Sequence, residues 1–129
     1  MVIDTSAILA CLLGEPERAS FTKAIEADSV RLLSVIGFVE ASLIMLTRKR
    51  DDGLADLAAF LNDGEIDRVP VDAHQAAAAV EAFRRFGKGR HPARLNMGDC
   101  FAYALAKNTG EPLLFKGFDF PQTDVSPVI

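Results

Sequence analysis

The sequence contains no tryptophan, a single tyrosine, and only two cysteines and two histidines in 129 residues. Cys11 and Cys100 lie far apart in the chain, and neither belongs to a C-x-x-C or Cys/His ligand spacing. These cysteines therefore indicate reduced, buried thiols rather than a zinc site. No apolar run approaches the ~20 residues of a membrane span, and no basic leader precedes the first apolar stretch. We expect a soluble cytoplasmic protein.

Positive charge is scarce as well. The chain carries 14 Lys and Arg against 18 Asp and Glu, which gives a formal net charge of -4 at pH 7. A protein that coats nucleic acid non-specifically needs a surplus of Lys and Arg to face the phosphates. Any contact of this protein with nucleic acid must therefore be local.

What the sequence does contain is an alternation of short apolar runs and longer segments of helical period. The runs predict strands at 2–4, 30–34, 69–71 and 113–116, and more weakly at 124–128. The first helix is predicted to begin at residue 7, with Thr5 or Ser6 as its N-cap. Further helices are predicted over 16–27, 35–50, 53–62, 73–86 and 97–109. This alternation is typical of an α/β fold with a mostly parallel sheet of four or five strands. Half the residues are apolar, so we expect one domain spanning 1–129.

Acidic residues follow two of these strands. Asp4 ends the first strand and Asp119 lies just beyond the fourth, so both should project from the carboxyl edge of a parallel sheet, where active crevices form. Asp99 takes about the third position of the helix that Asn96 begins. It can belong to the same site, or it can be an ordinary acid at the positive end of a helix.

Glu40 lies within an apolar stripe that the helical period predicts to face inward. The stripe consists of Ile36, Val39, Leu43 and either Leu46 or Thr47. An acid on an apolar face needs a partner. That partner is either an arginine of the chain or a cation shared with the other acids.

If the four acids converge, electrostatics requires a bound cation or protonation. Two like charges ~5 Å apart repel by roughly 3 kcal/mol at an effective dielectric constant of about 20. The chain offers no Cys/His set, and carboxylate oxygens suit Mg²⁺ or Mn²⁺. Such a site can activate water and neutralise charge on a phosphodiester, so nuclease chemistry follows, although not uniquely.

A basic loop precedes the predicted Asp99 helix and stands out in an acidic protein. It can hold RNA phosphates beside a metal site, or it can be a solvated loop without a partner. His91 is a further candidate, as a general acid. The phenylalanines at 38, 83, 86 and 101 fall on predicted helices, which favours core or dimer packing over a role as base-stacking platforms. The basic residues of the loop are Lys88, Arg90 and Arg94, with Arg84 and Arg85 just before it.

Four segments, in order, resemble the PIN-domain ribonucleases, and specifically the VapC toxins of bacterial toxin–antitoxin pairs. They are MVIDTSA, V-E-A, N-x-G-D-C-F-A-Y-A-L-A-K and L-L-F-K-G-x-D-F-x-x-T-D. The resemblance spans nearly the whole chain and places the family's metal-binding acids on Asp4, Glu40, Asp99 and Asp119. It implies a three-layer α/β/α fold, a Mg²⁺- or Mn²⁺-dependent endoribonuclease, a homodimer, and inhibition by a VapB-like antitoxin.

Several assignments stay open at this level. Ser6 and Asn96 can contact substrate or simply cap helices, and Asp124 is an alternative to Asp119. A phosphate-receiver domain with Lys116 as its lysine is disfavoured, because no acid ends a central strand at mid-chain. A haloacid-dehalogenase phosphatase would need an acid where Ser6 stands. A catalytically inactive binding module of the same fold is the remaining alternative.

Overall fold

The computed structural model describes residues 1–129 and has five α-helices around a four-stranded sheet. The strands are β1 (Val2–Ile3), β2 (Leu32–Ser34), β3 (Asp67–Val69) and β4 (Leu113–Leu114). The helices are α1 (Thr5–Leu12), α2 (Arg18–Ala27), α3 (Val35–Asp63), α4 (Ala73–Phe86) and α5 (Met97–Thr109), and a 3₁₀ turn covers Phe120–Gln122.

All strand pairs are parallel, and the strands lie in the order β3-β2-β1-β4. Successive residues of a strand point to opposite faces of the sheet. Val2 and Leu113 accordingly belong to one apolar cluster, with α4 and α5, whereas Ile3 and Leu114 belong to a second, with α1, α2 and α3. The predicted α/β/α layering with a parallel sheet is confirmed. The strand order differs from the 2-1-3-4-5 order of receiver domains, which excludes that alternative.

Most helix and strand boundaries lie within a few residues of the predicted ones. The N-cap of α1 and the fifth strand differ from the prediction. The N-cap of α1 is Asp4, not Thr5 or Ser6, because the Asp4 carboxylate accepts the Ser6 N–H. The weakly predicted fifth strand reduces to a single parallel bridge between Leu113 and Pro127. Gly110 ends α5 in the left-handed conformation, at φ 73°, as its sequence position indicates.

Helix α3 replaces two predicted helices and has a kink between them. Arg50 adopts φ 55° and ψ −142°, although hydrogen bonding continues on both sides of it. Gly53 makes this kink possible, since a Cβ at that position would overlap the Met45 carbonyl.

The predicted inward stripe of α3 is wrong. Val39, Leu43 and Leu46 are 49%, 59% and 40% exposed. The buried positions of the first half are Gly37, Ala41 and Met45. A Cβ on Gly37 would come within 3.0 Å of Leu33 Cδ1 and 3.2 Å of Thr5 Oγ1, so α3 packs closely on the sheet through small residues. Small residues carry little apolar signal, which is why the larger exposed side chains dominated the pattern.

No helix of the protein combines the length and the apolar character needed to cross a membrane.

Candidate active site

The four predicted acids come together at the carboxyl edge of the sheet. Asp4 follows β1 directly, Glu40 lies in the second turn of α3, and Asp99 lies in the first turn of α5. Asp119 precedes the 3₁₀ turn beyond β4. The charges of Asp4, Glu40 and Asp119 each raise the pKa of Asp99, which shows that the four share one neighbourhood.

Asp4 is the buried member of the cluster, at 5% exposure. Its Oδ2 accepts hydrogen bonds from the backbone N–H of Ser6 at 2.9 Å and from the Ser6 hydroxyl at 2.5 Å. The Lys116 N–H in turn donates to Ser6 Oγ at 3.0 Å. Burial raises the pKa of Asp4, and the Ser6 hydrogen bonds oppose that effect. Ser6 therefore holds Oδ2 of Asp4 through two hydrogen bonds.

Asp99 combines both roles that its sequence position suggested. It forms a capping box with Asn96, in which the Asn96 N–H donates to Asp99 Oδ2 and the Asp99 N–H donates to Asn96 Oδ1, both at 2.9 Å. Burial is the largest cause that raises the pKa of Asp99 from 3.8 to about 7, followed among the raising causes by the charges of Asp4, Glu40 and Asp119. Asp99 is thus a helix-start acid that also belongs to the cluster.

Glu40 has no arginine partner. It takes part in none of the ion pairs of the structure, so that alternative is excluded. Its carboxylate lies against Gly98, where an added Cβ would overlap Oε2. Burial raises the pKa of Glu40, a hydrogen bond from Thr5 lowers it, and the Asp4 charge raises it. Sequence reasoning assigned no role to Gly98 and treated Thr5 only as a candidate helix cap. The glycine directly before Asp99 was the one available signal.

No basic side chain neutralises the cluster. Lysine and arginine are absent from the causes that shift the pKa values of Asp4, Glu40 and Asp99. Lys116 is the nearest candidate along the chain, but its ammonium pairs with Glu15 and with Glu17. An uncompensated group of oxygen donors fits a hard divalent cation by charge and by chemistry.

The acids do not form a ready-made coordination shell. No three His, Cys, Asp or Glu side chains are arranged to hold an ion as they stand. Bringing three carboxylates onto one ion therefore requires side-chain rotation. The exposed Asp119, beside a glycine of positive φ at 117, can turn without disturbing the core.

The basic loop is exposed and its cations are unpaired. Lys88, Arg90 and Arg94 are exposed and take part in none of the ion pairs of the structure. The Arg90 guanidinium lies 5.7 Å from the centre of the Phe83 ring, so the loop folds back on α4. The His91 ring contacts Phe86 edge-on at 5.2 Å, and its Nδ1 accepts the Ala93 N–H at 3.1 Å. His91 therefore supports the loop.

Asp124 belongs to a different network. Its Oδ1 accepts the Tyr103 hydroxyl at 2.6 Å, and its Oδ2 pairs with Arg85 at 3.3 Å and with Lys107 at 3.5 Å. The Tyr103 hydrogen bond is the first cause that lowers the pKa of Asp124. Asp124 ties the C-terminal segment to α4 and α5, and its charge is not among those that act on Asp99.

Comparison with known proteins agrees with this architecture. The PIN domain family model matches residues 1–126. Ribonuclease VapC30 of Mycobacterium tuberculosis is 49% identical over 128 residues, covering 99% of this chain and 98% of the relative. Ribonuclease VapC of Mycolicibacterium smegmatis is 48% identical over 128 residues, covering 99% of both proteins.

Two solved structures share the fold. One is VapC20 of Mycobacterium tuberculosis, described as a toxin that cleaves the sarcin–ricin loop, with a TM-score of 0.75, 18% identity and 98% coverage of both chains. The other is VapBC2 of Rickettsia felis bound to a DNA fragment from its promoter, with a TM-score of 0.77, 11% identity, and coverage of 98% of this chain and 94% of that chain. Fold, family model and full-length relatives agree, and the chain belongs to the PIN domain family and, within it, to the VapC ribonucleases.

Proposed function

We propose that this protein is an endoribonuclease that depends on Mg²⁺ or Mn²⁺ and acts as the toxin of a VapBC-type toxin–antitoxin module. The observation that carries the proposal is the uncompensated acid cluster. Asp4, Glu40 and Asp99 all have raised pKa values, and no lysine or arginine contributes to any of these shifts. A protein keeps such a repulsive arrangement for a function that needs it.

The chain's own residues divide the work in this proposal. Asp4, Glu40, Asp99 and Asp119 are the residues that would hold the cation. A bound divalent cation would activate a water molecule and neutralise charge at the scissile phosphodiester. Ser6 holds Asp4 in one orientation through Oδ2. The Asn96 cap holds Asp99, and the missing side chain of Gly98 leaves room for the Glu40 carboxylate.

RNA binding is assigned to the basic loop and to two polar residues beside the acids. Lys88, Arg90 and Arg94 are exposed and unpaired, and the loop leads directly into Asn96 at the start of α5. Contacts to phosphates fix the register of a nucleic acid without reading its sequence. Ser6 and Asn96 each lie one hydrogen bond from an acid of the cluster, and we assign them contacts to the substrate at that position.

The proposed partners are a VapB-like antitoxin and a second copy of this chain. The exposed stripe of Val39, Leu43 and Leu46 on α3 supports the homodimer, because several large apolar side chains on one helix face are typical of an interface. Leu43→Glu should convert the dimer to a monomer in analytical ultracentrifugation. A monomeric wild-type protein at micromolar concentration would contradict the dimer. The two buried free cysteines, Cys11 and Cys100, suit the reducing cytoplasm in which we expect the protein to act.

The decisive experiment compares purified wild-type protein with Asp4→Asn on a pool of single-stranded oligoribonucleotides. Wild type should cleave in Mn²⁺ or Mg²⁺ and be inactive in EDTA, whereas Asp4→Asn should lose at least about 100-fold in kcat/KM. Asp52→Asn, an exposed acid of α3, is the matched control and should retain full activity. Equal cleavage by Asp4→Asn and wild type would refute the assignment. A folded wild type that cleaves no RNA would favour the inactive binding module.

A further inference from the structure

Phe118 is the most exposed large apolar residue of the chain, at 86%. It lies in the segment that follows β4, between two aromatic residues that pack against each other. Phe115 and Phe120 are in contact, with ring centres 5.1 Å apart, and Phe120 is 3% exposed. Phe115 and Phe120 therefore pack on the core, whereas the Phe118 side chain between them is exposed to solvent.

The backbone around Phe118 is held in place. Gly117 adopts φ 113°, a conformation that L side chains rarely take, and this turns the chain sharply before Phe118. The Phe118 carbonyl accepts the Gln122 side-chain amide at 3.0 Å, and the Asp119 carbonyl accepts the Gln122 N–H at 3.2 Å. The exposed ring thus stands on a structured turn and is not part of a loose terminus.

The neighbour of Phe118 is an acid of the cluster. Asp119 follows it directly, and the Asp119 charge acts on Asp99. A second exposed apolar residue, Met97 at 69%, stands two positions before Asp99. Single exposed apolar residues need no explanation, but here the two most exposed ones in the chain both flank acids of the same site.

We propose that Phe118 is a specificity-determining residue that stacks on an unpaired base of the RNA next to the scissile phosphate, with Met97 extending the apolar surface. This inference rests on the proposed ribonuclease function. When the scissile phosphate lies at the acids, the bases on either side of it lie within one nucleotide of Asp119, the residue next to Phe118. Bases in single strands and loops are free to stack on aromatic side chains, whereas bases in a duplex are not.

The charge of the protein favours a base as the occupant. With a net charge of -4, the chain gains little affinity from phosphate contacts outside the basic loop. Stacking supplies affinity that does not depend on a surplus of Lys and Arg. The substrate class that fits is therefore single-stranded or looped RNA with at least one unstacked base beside the cut.

The test uses wild type, Phe118→Ala, Phe118→Leu and Phe118→Tyr on single-stranded oligoribonucleotides that contain the mapped cleavage site. In two further substrates, the base on the 5′ or the 3′ side of the cut is replaced by an abasic ribose. Phe118→Ala and Phe118→Leu should lower kcat/KM about five- to 150-fold on the intact substrate, the range of one base stack. Phe118→Tyr should stay within about twofold of wild type, because its ring face is preserved.

The abasic substrates separate stacking from any other role. On the abasic substrate that lacks the stacked base, Phe118→Ala and wild type should be equally active. Equal losses on intact and on both abasic substrates, or no loss on any substrate, would overturn the inference. Ile129→Ala, which removes another exposed apolar side chain, is the control and should match wild type throughout.

Binding can be followed directly, because the chain has no tryptophan. Phe118→Trp in the Asp4→Asn background places the sole indole at this position without allowing cleavage. Its fluorescence should be quenched by intact oligoribonucleotide and much less by the corresponding abasic one. Emission that changes with protein concentration alone would show that a second protein chain covers Phe118 and would overturn the proposal. A wild type that cleaves RNA while Phe118→Ala is equally active refutes only this inference, whereas an inactive wild type refutes the ribonuclease function.

Discussion

Neutralising Asp99 should stabilise the metal-free protein while abolishing its activity. The pKa of Asp99 is raised from 3.8 to about 7 by burial and by the surrounding acids. The carboxyl therefore binds its proton more tightly in the folded protein than in the unfolded chain. Its contribution to stability is greatest below pH 4 and is lost as the pH rises from 3.8 through about 7.

The magnitude follows from the same pKa values. At about 1.36 kcal/mol per pKa unit, the difference corresponds to roughly 4 kcal/mol at pH 8. Asp99 is only partly buried, so solvent screening reduces this to about 2 kcal/mol. Asparagine keeps an oxygen that can accept the Asn96 N–H, but it loses the charge at the helix N-terminus, worth about 0.5 kcal/mol. Asp99→Asn should therefore gain about 1 to 2 kcal/mol at pH 8.

Urea denaturation in EDTA at pH 5 and pH 8 measures the effect. The gain of Asp99→Asn over wild type should be largest at pH 8 and fall to less than half at pH 5, where the folded wild type is protonated but the unfolded chain is ionised. In a thermal melt at pH 8 the gain corresponds to about 4 °C per kcal/mol. Asp52→Asn, outside the cluster, should show no pH-dependent difference.

Divalent cation should reverse the order of stability. A cation that binds only the folded state stabilises wild type by RT ln(1 + [L]/Kd), and Asp99→Asn should lose most of that gain. If Asp99→Asn were destabilised equally at pH 5 and pH 8, the repulsion between the acids would be too weak to require a cation. The same conclusion would follow if Asp99→Asn were less stable than wild type in EDTA and Mn²⁺ stabilised both proteins equally.

Three further predictions concern single contacts. Gly98→Ala should lower kcat/KM at least tenfold, because its Cβ displaces the Glu40 carboxylate, while Tm stays within a few degrees; full activity would contradict the close contact. Arg50→Gly should raise the free energy of unfolding by about 1 kcal/mol by relieving the positive φ, whereas Arg50→Ala, which keeps the strain, should show no gain in urea melts. Tyr103→Phe should cost about 1 kcal/mol at pH 7 by removing the hydrogen bond to Asp124. Because that bond lowers the pKa of Asp124, the cost should shrink as acid titration protonates the carboxylate, and a cost independent of pH would refute the role of the bond.

Local rules in the sequence determined much of the fold. Asn96 begins α5 and forms a cap with Asp99, Asp72 caps α4 through the Gln75 N–H, and Gly110 ends α5 directly after the predicted helix 97–109. These features depend on hydrogen bonds between residues a few positions apart, so spacing alone reveals them. The strand-end position of Asp4 was equally readable, because parallel strands share one carboxyl edge.

Only the tertiary structure decided which face of α3 is buried and what surrounds Glu40. The inward face carries Gly37 and Ala41, whose value lies in close approach to Leu33 and Thr5 rather than in apolar area. The Glu40 carboxylate occupies the space that a side chain at position 98 would fill, and Gly98 lies 58 positions further along the chain. A local sequence pattern does not reveal such a contact between distant residues. The sequence by itself determined the four acids and the edge on which they lie. Their mutual proximity, the lack of a compensating cation and the exposure of Phe118 beside them depend on packing between distant elements, and only the folded chain decided these.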